Sequence, residues 1–263
     1  MLSEVQAEST GAARKVTGLP GGKGLLWAMQ ALLTAGIGVA VYLVWHKLNI
    51  TLDPEYVSSC NLGGAINCDK VNVSKWSEVL GLPISIFAIP TYGLMLFFVM
   101  RAMAGVDSDD EEIQRSGALA LKCVTAVGSF AVLHSFFLAY VSTVYIKAVC
   151  LYCLSLYVVN IGVTVLGVKA GAGNPIAAVK GALGGLMSFL DPLPNAVGVF
   201  ILSAGIAWIG YDHTRVNLET SYKDRIDQLF ADDPDAETEE IAAVPQANPQ
   251  PVAVAKQPTP SPK

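Results

Sequence analysis

Apolar and polar positions along this chain fall in long separate blocks, unlike the fine alternation that builds a soluble core. A polar, basic stretch over residues 1–24 gives way to residues 25–45, 21 positions without a charge. At about 1.5 Å of rise per residue, such a run crosses a hydrocarbon layer about 30 Å thick. It is longer than the roughly 7–15 apolar residues of a cleaved leader. It also ends in Tyr42 and Trp45, which suit a membrane interface, so it reads as a retained first span. Residues 83–100 are a second span, with Pro90 placed to kink it, and residues 101–115 are a charged turn. Residues 117–146 and 148–168 are a third and a fourth span; the little chain between them predicts a tight antiparallel hairpin. Residues 169–192 are a Gly- and Ala-rich connector, residues 193–211 a fifth span, and residues 214–230 a soluble helix. The rest of the 212–263 segment is acidic and then rich in Pro, Ala and Gln, the composition of a disordered tail. Between the first two spans, residues 46–82 form a polar segment too long for a plain connection. Within it Val73, Trp76 and Leu80 recur near helical spacing, which predicts a short amphipathic helix at the membrane surface.

Composition agrees with that pattern. Hydrophobic residues make up 52% of the chain and charged residues only 15%, against about a quarter charged in soluble domains. A net charge of −5 excludes nucleic acid as a partner, and membrane lipid takes its place. The fold class is therefore all-α and membrane-integral: a four-helix transmembrane bundle with one long outer loop, plus a fifth transmembrane helix. Lys and Arg in the short loops set the orientation. Arg14, Lys15, Lys23, Arg101, Arg115, Lys122, Lys169 and Lys180 fall on one side, against Lys47, Lys70, Lys75 and Lys147 on the other. The N-terminus is then cytoplasmic, and Cys60, Cys68, Cys150 and Cys153 lie at the outer face, where thiol oxidation is permitted.

The chemistry lies in those four cysteines. Cys150-Leu151-Tyr152-Cys153 opens the fourth span, and a spacing of three puts both sulfurs on one helix face. A helix N-terminus carries unpaired N–H groups and partial positive charge, which favour a thiolate, at Cys150 above all. Cys60 and Cys68 flank Gly63 and Gly64, which let the chain fold back so that the two sulfurs meet. Two readings stand for each pair, a structural disulfide or a redox couple, and a zinc site of four thiolates is a third. Cys123, near the cytoplasmic end of the third span, reads as a packing residue. His134 lies within a span, where ionisable groups are functional candidates, although a neutral, hydrogen-bonded histidine also satisfies the pattern. A non-redox scaffold or zinc-site protein with structural cysteines is thus the alternative to a thiol oxidoreductase; a small transporter rests on His134 alone.

Over residues 25–168 the chain resembles a bacterial member of the vitamin K epoxide reductase family. The resemblance is carried by the order of a first helix, a loop with Cys60 and Cys68, Ser74-Lys75-Trp76, Ser85-Ile86-Phe87, and Cys150-Leu151-Tyr152-Cys153 followed by Tyr157. It implies a four-helix redox domain around a quinone, either ubiquinone or menaquinone, in the bacterial inner membrane. It implies that Cys153 lies nearest the quinone and forms an adduct with it, and that Cys150 is its partner. Cys68 would form the interloop disulfide with Cys150, and Cys60 would meet the external protein. Ser74 matches the loop hydroxyl that positions the site, and Tyr157 the hydroxyl that hydrogen-bonds a quinone oxygen. Tyr157 follows Cys153 by four residues, on the same helix face. Ile84 stands where some relatives have an amide, which removes the second polar contact. Many bacterial relatives carry a thioredoxin-like domain after a fifth helix, whereas no CxxC follows it here. The expectation is a thioredoxin-like periplasmic or extracytoplasmic partner acting in trans, and a role in disulfide bond formation.

Overall fold

The structure, a computed structural model, describes residues 22–53, 56, 58, 60–63, 65–186 and 193–231. Helix α1, Gly22–Leu52, is followed by a loop region holding strands β1 (Asn61–Gly63) and β2 (Ile66–Asn67), and then helix α2 (Cys68–Asn72). A 3₁₀ turn at Lys75–Ser77 leads into the hairpin of β3 (Glu78–Val79) and β4 (Leu82–Pro83). Four more long helices follow: α3 (Ile84–Asp107), α4 (Glu111–Tyr140), α5 (Leu151–Gly167) and, after the short α6 (Pro175–Leu186), α7 (Leu193–Ala231). Five of the described helices are long and apolar enough to cross a membrane. Contacts divide the chain after Tyr222, and the residues of the site described below all belong to the first unit.

Helices α1, α3, α4 and α5 close a four-membered bundle, each packing on two others: α1 on α3 and α5, α4 on α3 and α5. Leu26, Met29, Leu33, Met95, Val99, Leu121, Val124 and Val163 are at most 1% exposed and fill its centre. With lipid outside as apolar as the core, close backbone approach rather than hydrophobicity holds such helices together. Gly105 and Gly117 show this: a Cβ on Gly105 would lie 2.9 Å from the Gly117 Cα, so α3 and α4 cross backbone to backbone. Phe130, Leu133, Phe136 and Phe137 project outward from α4, as a lipid-facing surface does.

Several elements differ from the sequence expectation. Helix α3 runs on to Asp107, so the charged turn shrinks to residues 108–110; Asp110 caps α4 by accepting from the Glu112 N–H. Arg101 lies inside α3 and donates to Ser116 Oγ at 2.9 Å. The Gly- and Ala-rich connector contains helix α6, which packs on α4. The fifth span and the helix read after it are one continuous helix, α7, because no breaker separates them. The amphipathic helix read from Val73, Trp76 and Leu80 is absent: Trp76 lies in the 3₁₀ turn, and Leu80 and Gly81, both at positive φ, turn a hairpin. The tail beyond residue 231 and residues 1–21 lie outside the described residues.

Candidate active site

Helix α4 ends in a wider-wound turn over Val141–Ile146, and Lys147 stops it in the left-handed conformation, φ 54°. The chain reverses there: the Ala148 N–H donates to Ser142 O, and Ser142 Oγ donates to Ala148 O at 2.5 Å. The extended residues that follow pair with the loop. The Val149 N–H donates to Ala65 O at 2.8 Å, and the Asn67 N–H donates to Val149 O at 3.1 Å. These backbone bonds place the loop's second cysteine beside the start of α5.

Cys150 is the N-cap of α5, and its sulfur accepts from the Cys153 N–H at 3.3 Å. The Cys153 thiol, directed at Cys150 Sγ, is the main cause holding the Cys150 thiol below the ordinary thiol range. Burial opposes this shift; the N–H groups of Cys153 and Tyr152 and the side chain of Asn72 reinforce it. Cys60 and Cys68 are joined as a disulfide, whereas Cys150 and Cys153 are free thiols. Cys60, Cys68 and Cys150 pack with Leu43 in one buried cluster, none more than 4% exposed, and Cys153 lies against it. The structure therefore brings all four paired cysteines together at one end of the bundle. Cys123 packs on the bundle core instead.

A cavity of about 520 Å³ opens from this cluster into the bundle, lined by Cys153, Leu156, Tyr157 and Asn160 of α5. Phe87, Tyr92, Val127, His134, Ser135 and Leu138 of α3 and α4 add to its walls, and Asn72, Ser74 and Trp76 come from the loop. It is mainly apolar with a few placed polar groups, the character of a small-molecule site. Ser74 Oγ donates to Val71 O at 2.7 Å, and Ser74 O accepts from Ser77 Oγ at 2.7 Å. Among the described residues, the Tyr157 hydroxyl has no hydrogen-bond partner in the protein. Below it, Tyr92 Oη donates to Asn160 Oδ1 at 2.9 Å and Asn160 Nδ2 donates to Ser135 Oγ at 2.9 Å.

Two consecutive residues of α1 fasten the loop above this cavity. Fully buried His46 places Nε2 at 3.1 Å from Asp69 Oδ1, and Nδ1 at 3.1 Å from Tyr56 Oη. Lys47 Nζ donates to Asn72 O at 2.6 Å and pairs with Glu78 Oε1 at 2.7 Å. The sequence reading did not single out Lys47, Asn72, Tyr92, Ser135 or Asn160, and gave His46 no weight. Asn160 had a legible signal: it lies seven residues after Cys153 and three after Tyr157, on the same helix face. The others gain their roles only from contacts distant in sequence.

Comparison with known proteins agrees with this geometry. The vitamin K epoxide reductase family profile matches residues 27–168. Subunit 1 of the vitamin K epoxide reductase complex of Mus musculus is 24% identical over 144 residues, 52% of this chain and 84% of that protein. With cysteine pairs converging on a cavity inside the matched residues, the chain belongs to the vitamin K epoxide reductase family and is a quinone-dependent thiol–disulfide oxidoreductase of the membrane.

Proposed function

We propose that this chain oxidises a thioredoxin-like protein at the outer face of a bacterial cytoplasmic membrane and delivers the electrons to ubiquinone or menaquinone, driving disulfide formation. The observation that carries the reading is the single buried cluster of loop disulfide and helix dithiol, with Cys153 in the cavity wall.

The cavity fits a quinone head group. Its volume of about 520 Å³ lies within the roughly 300–1,000 Å³ usual for ligand sites, and its walls are mostly apolar. A bound quinone supplies an acceptor for two electrons and two protons. Cys153 faces that acceptor, with Tyr157 one helical turn further on to hold a carbonyl oxygen. Ser74 fixes the loop edge of the site, and the Asn160–Tyr92–Ser135 group is a polar floor. The apolar walls exclude water from the sulfur during transfer.

In the loop, the partner's dithiol attacks the Cys60–Cys68 disulfide through Cys60. Once Cys150 and Cys153 have passed two electrons to the quinone and joined as a disulfide, the Cys68 thiolate attacks Cys150 Sγ; the Cys68–Cys150 bond forms, the Cys150–Cys153 bond breaks, and Cys153 leaves as thiolate. Purified chain, a reduced thioredoxin-like protein and a short-chain quinone together test this. Thiol loss that depends on the quinone is expected, with activity abolished in Cys153→Ser; there the Cys150 thiolate attacks the Cys60–Cys68 disulfide at Cys68, Cys60 leaves as thiolate, and a Cys68–Cys150 peptide is recovered from the digest. Stoichiometric zinc without quinone-dependent thiol loss would sink the proposal.

A further inference from the structure

We propose that Asn160 is a further quinone-binding residue, whose unused side-chain N–H holds the second oxygen of the ring. This rests on the quinone cavity proposed above, and it supplies the polar companion that Tyr157 lacks where Ile84 stands.

Asn160 lies on α5 three residues after Tyr157 and seven after Cys153, on the same helix face. It is 8% exposed, and it lines the cavity together with the equally buried Tyr92 and Ser135. The hydrogen bonds around it fix which way its amide points. Ser135 Oγ donates its one hydrogen to Ala131 O at 2.8 Å, so towards Asn160 it can only accept. The atom 2.9 Å from Ser135 is therefore Nδ2. The atom facing Tyr92 is Oδ1, which accepts from the Tyr92 hydroxyl at 2.9 Å. Side chains from α3 and α4 thus lock one amide of α5 in one orientation. One of its two N–H groups is used on Ser135; among the described residues, the other has no acceptor in the protein.

A buried N–H without an acceptor is costly, and within a bilayer water does not relieve it. A ligand that brings an acceptor into the cavity removes that cost. Quinone oxygens accept and do not donate, so each needs a donor from the wall. The Tyr157 hydroxyl and the Asn160 N–H are two such donors on one face of α5, about 4.5 Å apart in rise. That spacing suits two oxygens carried on opposite sides of a single ring. Other polar groups of the lining are less well placed. Thr91 Oγ1 donates to Phe87 O, and Ser74 Oγ to Val71 O. Ser85 belongs to the first turn of α3 and His134 to α4, so neither shares the face of Cys153 and Tyr157. An amide keeps its proton, so Asn160 binds and orients the ring and supplies none of the protons that a quinol takes up.

The test uses the full chain and a short-chain ubiquinone. Infrared difference spectra of the bound quinone read its two carbonyl stretches separately, and quenching of tryptophan fluorescence reads Kd; neither needs turnover. In the wild type both carbonyl bands should lie below their positions in hydrocarbon solvent. Asn160→Leu should return one band to its solvent position and weaken binding about fivefold, the scale of one neutral hydrogen bond. Tyr157→Phe should return the other band. Ser135→Ala breaks the same bond between α4 and α5 but leaves the amide, and it should keep both bands shifted. A thermal melt checks the fold of each variant, and Asn160→Ser gives the same reading where Asn160→Leu does not fold. If the folded Asn160 variant keeps both bands shifted, the proposal is overturned. It is also overturned if the second band moves only in Ser85→Ala or His134→Phe, because the oxygen is then held from α3 or α4. A wild type that binds no quinone would refute the cavity reading, and this proposal with it.

Discussion

Lys47 carries a full charge at a position whose side chain is 8% exposed, whereas its partner Glu78 is 41% exposed. The two ends of the pair therefore have unequal consequences. Lys47→Met deletes the ionic donor to the Asn72 carbonyl and leaves it only the Ser77 hydroxyl, a loss of about 1.5–3 kcal/mol. Glu78→Gln loses only a water-screened pair, under about 1 kcal/mol. A detergent-solubilised melt should show the lysine variant destabilised more, and protease should cut its 54–82 loop faster. Equal melts would mean that the loop is held elsewhere, at His46 or at the Val149 pairing. None of this was legible in the sequence, because Lys47 and Asn72 are 25 residues apart and meet only once the loop folds back over α1. Cys150 and Cys153 were legible for the opposite reason: helical geometry fixes a three-residue spacing before any tertiary contact exists.

The hairpin of β3 and β4 shows where local pattern misleads at the scale of an element. Val73, Trp76 and Leu80 have near-helical spacing, yet Leu80 and Gly81 take φ of 55° and 77°, the two positive angles of a two-residue hairpin turn. The Gly81-Leu82-Pro83 sequence held a breaker signal that outweighs the spacing, since proline disfavours helix at the residue before it. Glycine accepts the left-handed region; leucine does so at a cost of roughly 1–2 kcal/mol, and Leu80 is 94% exposed with no burial to offset it. Leu80→Asn should therefore raise the melting midpoint and leave quinone-dependent thiol oxidation unchanged, because asparagine tolerates that region. A lower midpoint would show that the Leu80 side chain contributes more than its strained backbone loses. The first four spans, by contrast, were read with only their ends displaced: apolar runs of bilayer length have few alternative structures.

The arrangement of the whole molecule ties chemistry to orientation. Helices α1 and α4 run toward the cysteine end and α3 and α5 away from it, so the charged groups sort by end. Lys23 at the start of α1 pairs with Asp107 at the end of α3, and Arg101 meets Ser116 near the start of α4, at the end of the bundle opposite the two cysteine pairs. In the orientation proposed above the cation-rich end faces the cytoplasm, because positively charged loops resist translocation. On that proposal the cavity and both cysteine pairs would open outward, into a compartment that permits thiol oxidation. Single cysteines in an otherwise cysteine-free chain can test the direction. Leu80→Cys, at the exposed hairpin tip, should react with a membrane-impermeant maleimide in intact cells; Asp109→Cys, in the exposed α3–α4 turn, should react only after permeabilisation. The reverse labelling would place the relay in a reducing compartment, where net disulfide formation would have to work against the glutathione poise.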